Sequence, residues 1–211
     1  MKVSVSILSS SIKAQDIVKK LDNTKADYIH IDIMDGKFVE NKTWTFGEIK
    51  KITSYSHLPL DVHLMVKNPE KYIEDYALLN TSYIAFHYEA VKDINAMIEF
   101  IKNYGIRVGI AINPETDVNV VYPYLKDIDE VLIMGVHPGK SGQSFIETTP
   151  DKIKKLKDEI INQNVKTIIS VDGGVNDETG FLCKEAGVDT LVSASYLHSD
   201  LQNNINILKN L

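Results

Sequence analysis

Tyr28-Ile29-His30-Ile31-Asp32-Ile33-Met34-Asp35-Gly36 is the stretch that decides the fold. Side chains of an extended chain point alternately to two faces. Ile29, Ile31 and Ile33 share one face, and His30, Asp32 and Met34 share the other. The isoleucine face suits packing against helices. The opposite face carries an imidazole and a carboxylate two residues apart. Burying them costs heavily unless they are paired or bind something. A strand of this kind expects helices on one side and a polar interior on the other.

Seven further short apolar runs surround it, at residues 3–7, 60–65, 83–87, 108–112, 130–136, 167–171 and 190–193; with 28–33 they make eight. Charged stretches with helical spacing separate them, among them 12–21, 94–104 and 152–161. Strand and helix in alternation predict parallel pairing in βαβ units. Eight such units in 211 residues predict one closed (β/α)8 TIM barrel over 1–211, with an open doubly wound sheet as the alternative. No linker or low-complexity tract interrupts the alternation.

Composition narrows the function classes. The chain is 44% hydrophobic and 25% charged, as in ordinary globular proteins. Its net charge of −6 argues against nucleic acid as a partner, since that role leaves a basic footprint. No apolar run approaches the ~18 residues of a membrane span. The single cysteine, Cys183, excludes an intrachain disulfide. It is expected to be a core residue. No signal-peptide pattern precedes the first strand, so a reducing, cytoplasmic compartment is expected.

Barrels of this class place their chemistry at the C-terminal strand ends. The capable residues gather there. Asp61, His63 and Met65 share a face of the third strand, and Asp172 closes the seventh, ahead of Gly173 and Gly174. Two imidazoles and two carboxylates from three strand ends suit Zn²⁺, Fe²⁺, Mn²⁺ or Co²⁺; a hydrogen-bonded polar core is the plainer alternative. Gly173 and Gly174 let backbone N–H groups approach an anion. The Pro138–Gln143 segment reads as a loop over the mouth, and Ser193-Ala194-Ser195 offers small residues where phosphate commonly sits.

At these residues the chain resembles the ribulose-phosphate 3-epimerase family. The resemblance rests on His30-Ile31-Asp32-Ile33-Met34-Asp35-Gly36 with Phe38, Val39 and Asn41, and on Leu58–Val66 with Asn68-Pro69-Glu70. His87 with Glu89-Ala90, Asn113–Thr116, Met134 with Val136, Pro138-Gly139 with Gly142-Gln143, and Val171–Gly174 also match, in order. Ser6-Ile7-Leu8 fits the first-strand motif. The strand-two and strand-three motifs are long and specific.

The resemblance implies a ribulose-phosphate-binding barrel and a reaction of the pentose phosphate pathway. A proton moves on and off C3, interconverting D-ribulose 5-phosphate and D-xylulose 5-phosphate. It implies one divalent metal ion held by His30, Asp32, His63 and Asp172, with zinc first and iron, manganese or cobalt as alternatives. Asp32 and Asp172 would be the two acid/base groups. Ser6, His63, Gly139 and Asp172 would touch substrate, Met34, Met65 and Met134 would wall the pocket, and Gly142, Gly173, Gly174, Ala194 and Ser195 would surround the phosphate. A homo-oligomer, dimer or hexamer, is expected.

Several positions depart from the family pattern. Val5 stands for Pro, Lys37 for His and Glu40 for Pro. His137, Lys140 and Ser141 stand for Asn, Phe and Gly, and Ala194 for Gly. All surround the mouth, so they bear on the sugar more than on the reaction. An epimerase of a six-carbon ketose phosphate such as D-allulose 6-phosphate is therefore the first alternative. A decarboxylase of the same barrel type would want a lysine where His63 stands. A non-catalytic sugar-phosphate-binding barrel is the alternative outside enzymes.

Overall fold

The computed structural model describes residues 1–8 and 13–211. The strands are β1 (Lys2–Ser6), β2 (Tyr28–Met34), β3 (Leu60–Met65), β4 (Thr81–His87), β5 (Arg107–Ile112), β6 (Glu130–Met134), β7 (Ile168–Asp172) and β8 (Thr190–Ser193). All pair in parallel, and β8 pairs with β1 to close the barrel. Eight sequence runs thus correspond to eight strands, with bounds shifted by one or two residues at several ends.

The helices described are α1 (Ala14–Leu21), α2 (Phe46–Thr53), α3 (Ile73–Ala77), α4 (Ile94–Lys102), α5 (Thr149–Asn162), α6 (Asp177–Ala186), α7 (Ser195–Ser199) and α8 (Leu201–Lys209). Ile12, the expected start of the first helical stretch, lies outside the described residues. The α2 helix starts on a reciprocal cap, in which the Thr45 side chain accepts from Glu48 N–H and the Glu48 carboxylate from Thr45 N–H. Regular helix alternation fails in one crossover. The β5–β6 connection is a 3₁₀ helix, Val118–Tyr124, with Pro123 inside it. Proline lacks the N–H an α-helix needs and crowds the preceding turn.

The main core lies between barrel and helices. Ile29, Ile31 and Ile33 are fully or almost fully buried there with Ile17, Val18 and Ile49. Truncating such an isoleucine to alanine costs about 2–5 kcal/mol. A second small apolar cluster, Ala85, Ala111, Leu132 and Val192, fills the barrel itself. Cys183 is buried in α6, and burial pushes its thiol up to about 12, which fits core filling. None of the described helices is long and apolar enough to cross a membrane.

Candidate metal and sugar-phosphate site

Strand register builds the site. Parallel pairing of β2 with β3 sets His30 beside Asp61, Asp32 beside His63 and Met34 beside Met65. Pairing of β6 with β7 sets Met134 beside Asp172. One ligand atom from each of His30, Asp32, His63 and Asp172 lies within 4.8 Å of all the others. His30 and His63 are wholly buried, and Asp32 is only 4% exposed.

Each imidazole faces the carboxylates with one nitrogen and is held from behind by the other. His30 Nδ1 lies 2.8 Å from Asp61 Oδ2, which also accepts from Ser4 Oγ at 2.8 Å. Its Nε2 points to Asp32 Oδ1 at 3.4 Å and Asp172 Oδ2 at 3.8 Å. His63 is turned the other way. Its Nδ1 lies 3.3 Å from Asp32 Oδ1 and 3.6 Å from Asp172 Oδ2. Its Nε2 meets His87 Nε2 at 2.8 Å, and His87 Nδ1 reaches Glu89 Oε2 at 3.2 Å.

The electrostatics call for a cation. Burial opposes charge on His30, but Asp61 and Asp32 outweigh it and raise its pKa well above the ordinary value. Burial likewise opposes charge on His63, and Asp172 and Asp32 outweigh it. Burial would raise the Asp32 carboxyl, yet the two histidines hold it well below the carboxylate range. The carboxylates therefore attract positive charge into the cleft.

His30 Nε2 is buried without a hydrogen-bond partner. An unsatisfied buried nitrogen costs about 1–3 kcal/mol. A divalent ion would satisfy it, and two imidazoles with two carboxylates form a suitable donor set. The cluster fits a divalent metal site.

Above the cluster opens one cavity. Asp32, Asp172, Ser6 and the three methionines Met34, Met65 and Met134 wall its inner part. Gly173, Gly174, Ala194, Ser195 and the loop 137–143 wall its outer part. Ser6 Oγ donates to Asp32 Oδ2 at 2.8 Å, so it steadies a carboxylate as well as facing the cavity. His30 and His63 are absent from this wall, because they lie beneath the carboxylates.

Gly173 and Gly174 have φ of +104° and +68°. A Cβ on Gly173 would sit 2.3 Å from the Val136 side chain, and one on Gly174 2.7 Å from Phe145 Cα. Both positions demand glycine. Ala194 does not on this ground, since its φ of −119° lies outside the left-handed region that favours glycine.

The outer loop is stapled. Gln143 Nε2 donates to the carbonyls of His137 and Lys140 at 2.6 and 2.9 Å. Asn41 Nδ2 donates to Gly139 O at 2.8 Å, tying this loop to the one after β2. His137 meets Glu115 at 2.5 Å, and Lys140 lines the cavity.

Sequence reasoning assigned no role to Ser4, His87, Glu89 or Glu130. His87 was findable, because it ends β4 on the same inward alternation as Tyr83 and Ala85. Glu130 opens β6 and lies buried at the floor of the barrel, bonded to Ser170 Oγ.

Comparison with known proteins accords with this geometry. The Ribulose-phosphate 3 epimerase family profile matches residues 2–198. A ribulose-phosphate 3-epimerase of Bacillus subtilis is 39% identical, covering 99% of this chain and 98% of its own length. Those of Helicobacter pylori J99 and Methanocaldococcus jannaschii are 38% and 40% identical, covering 93% and 92% of this chain and 90% and 83% of theirs. Among solved structures, a mutant tryptophan synthase α-subunit from Pyrococcus furiosus superposes with TM-score 0.71 at 13% identity, covering 100% of this chain and 98% of its own. N-(5'-phosphoribosyl)anthranilate isomerase from the same organism gives 0.65 at 17% identity, with both chains covered in full. These two likenesses establish the barrel alone. The profile match and the sequence identities, over almost the full chain, establish that the protein belongs to the ribulose-phosphate 3-epimerase family.

Proposed function

We propose that this chain, as one (β/α)8 barrel domain over 1–211, interconverts D-ribulose 5-phosphate and D-xylulose 5-phosphate. The observation that carries the reading is the pair Asp32 and Asp172, two carboxylates at the base of one cavity above two buried imidazoles. Inverting a carbon by proton transfer needs a base on one face and an acid on the other. Asp32 and Asp172 take those roles, one removing the C3 proton and the other returning a proton to the opposite face. The path reverses with the carboxylates' roles exchanged. Removal leaves an enediolate, whose negative charge needs stabilisation.

His30, Asp32, His63 and Asp172 would hold a divalent cation, with zinc as the first expectation. Such an ion would supply Lewis-acid stabilisation to the developing oxyanion. Met34, Met65 and Met134 limit water access to the reacting carbon with apolar, adaptable walls. Gly173 and Gly174 free backbone N–H groups for the phosphate, with Ala194, Ser195, Gly139 and Gly142 around it. Lys140 adds a cation at that end of the cavity. A homo-oligomer belongs to the same reading, and the exposed Phe181 and Leu182 of α6 and Ile161 of α5 offer apolar surface for it.

The test is a coupled assay for the two pentulose phosphates after metal stripping and re-addition, with Asp172→Asn alongside. Activity that returns with a divalent metal and falls about 10²–10⁴-fold in the variant supports the assignment. No turnover with any divalent metal sinks it.

A further inference from the structure

Behind the candidate metal site, His63 sits at the inner end of a hydrogen-bonded chain that starts buried at His63 and His87 and runs outward through the exposed Glu89 to the β5–β6 connection. His63 Nε2 and His87 Nε2 meet head to head at 2.8 Å, with the rings inclined by only 29°. Both rings are fully buried, and Phe38 covers His87 with ring centroids 4.7 Å apart. No water is needed to complete the contact, because each nitrogen already has its partner.

The outer end fixes the direction of the protons. Glu89 Oε1 accepts from Asn113 N–H at 2.9 Å and from the Thr116 hydroxyl. Glu89 Oε2 faces His87 Nδ1. Burial would raise the Glu89 carboxyl, but His87, Thr116 and Asn113 hold it at about 2, so it only accepts. The 113–116 segment is itself pinned by Lys152 Nζ, which donates to the carbonyls of Asn113, Pro114 and Thr116 at 2.7–3.1 Å. A carboxylate on His87 Nδ1 requires a proton there. His87 Nε2 is then the acceptor, and His63 Nε2 must donate to it. Only Nδ1 of His63 is left to face Asp32 and Asp172.

We propose that His87 and Glu89 are positioning residues that lock His63 with its proton on Nε2, leaving Nδ1 as the nitrogen offered to a divalent cation. This rests on the metal reading of the four-residue cluster. The two ligand imidazoles then use different devices. His30 is oriented by a carboxylate, Asp61, in direct contact, whereas His63 is oriented by a carboxylate acting through a second imidazole. Outer partners of this kind set ligand orientation and typically govern about 10–100-fold in metal affinity.

Zn²⁺ affinity, measured by competition with a chromophoric chelator at fixed pH, tests the proposal, together with the visible spectrum of the Co²⁺ form. In His87→Phe the His63 Nε2–H loses its acceptor, and affinity is expected to fall about 10–100-fold with an altered Co²⁺ spectrum. In His87→Gln the amide oxygen can accept that proton while its NH₂ faces Glu89, and affinity is expected to return to within about threefold of wild type. Glu89→Gln is expected to lose about tenfold. If His87→Phe does not fold, Glu89→Gln and His87→Gln decide the matter. Zn²⁺ affinity within about twofold of wild type in Glu89→Gln, or an equal loss in His87→Phe and His87→Gln, would overturn the relay. Wild-type protein that binds no divalent metal would overturn the metal reading itself, and the relay with it.

Discussion

The mouth and the floor of the barrel both bury carboxylates, and they settle the charge in opposite ways. At the mouth, Asp32 is held ionised by His30 and His63 despite its burial. At the floor, burial raises Glu130 to about 8, and the neighbouring Asp61 pushes the same way. The Ser170 hydroxyl, His30 and His63 only partly offset this. Glu130 Oε2 has no hydrogen-bond partner, and the space around it is narrow, since a Cβ on Gly109 would lie 2.8 Å away. Burial therefore prevails at Glu130 and is overridden at Asp32, where two imidazole nitrogens lie within 3.4 Å of the carboxylate. The carboxylate between two imidazoles stays ionised, whereas the one whose hydrogen-bond partner is a hydroxyl keeps its proton.

Removing the mouth charge is the largest test of this contrast. Asp32→Asn keeps the shape but, under the proposed mechanism, would take away both an acid/base group and a ligand, and turnover is expected to fall about 10²–10⁴-fold. Single-turnover exchange of the C3 proton with deuterium would locate the loss in the proton-transfer step. Retained exchange would move the base elsewhere in the cavity.

An intermediate effect is expected where floor and mouth meet. Asp61 links Ser4 to His30, so Asp61→Asn exchanges a carboxylate for a weaker, neutral acceptor. Metal affinity is expected to fall about 10-fold or somewhat more, with little change in the protein's fold by circular dichroism. An unchanged affinity would show that packing alone orients His30.

The smallest effect on activity, and the most informative on stability, belongs to Glu130→Gln. Glu130 stays protonated in the folded chain up to about pH 8, whereas its unfolded carboxyl ionises near 4.5. Between those values the unfolded state binds fewer protons, so this residue lowers stability as pH rises. The variant lacks that penalty. Its stability relative to wild type is expected to grow from about pH 5 to about pH 8 and then level off, by an amount on the order of a few kcal/mol in denaturant unfolding. A difference independent of pH would mean that Glu130 is ionised in the folded protein.

Much of the site was legible as alternation. His30-x-Asp32-x-Met34 and Asp61-x-His63-x-Met65 place polar groups inward whatever the neighbouring strands do, because an extended chain has a period of two. The eight apolar runs predicted the barrel for the same local reason. The β5–β6 crossover was less legible, since Val118, Val121 and Leu125 keep a helix-like spacing while Pro123 inside the segment favours a tighter turn. His87 and Glu89 stood inside a recognised motif, yet the contact of His87 with His63 joins residues 24 positions apart and depends on the β3–β4 register.

By itself, then, the sequence determined the strand count, the inward face of each strand and the chemical inventory at the mouth. These follow from local periodicity and residue type. The tertiary structure alone decided which nitrogen of each histidine faces the carboxylates, that Ala194 has a negative φ, and that Glu130 holds its proton while Asp32 does not. Those outcomes depend on distances of a few ångströms between residues far apart in the chain, and closure of the barrel sets those distances.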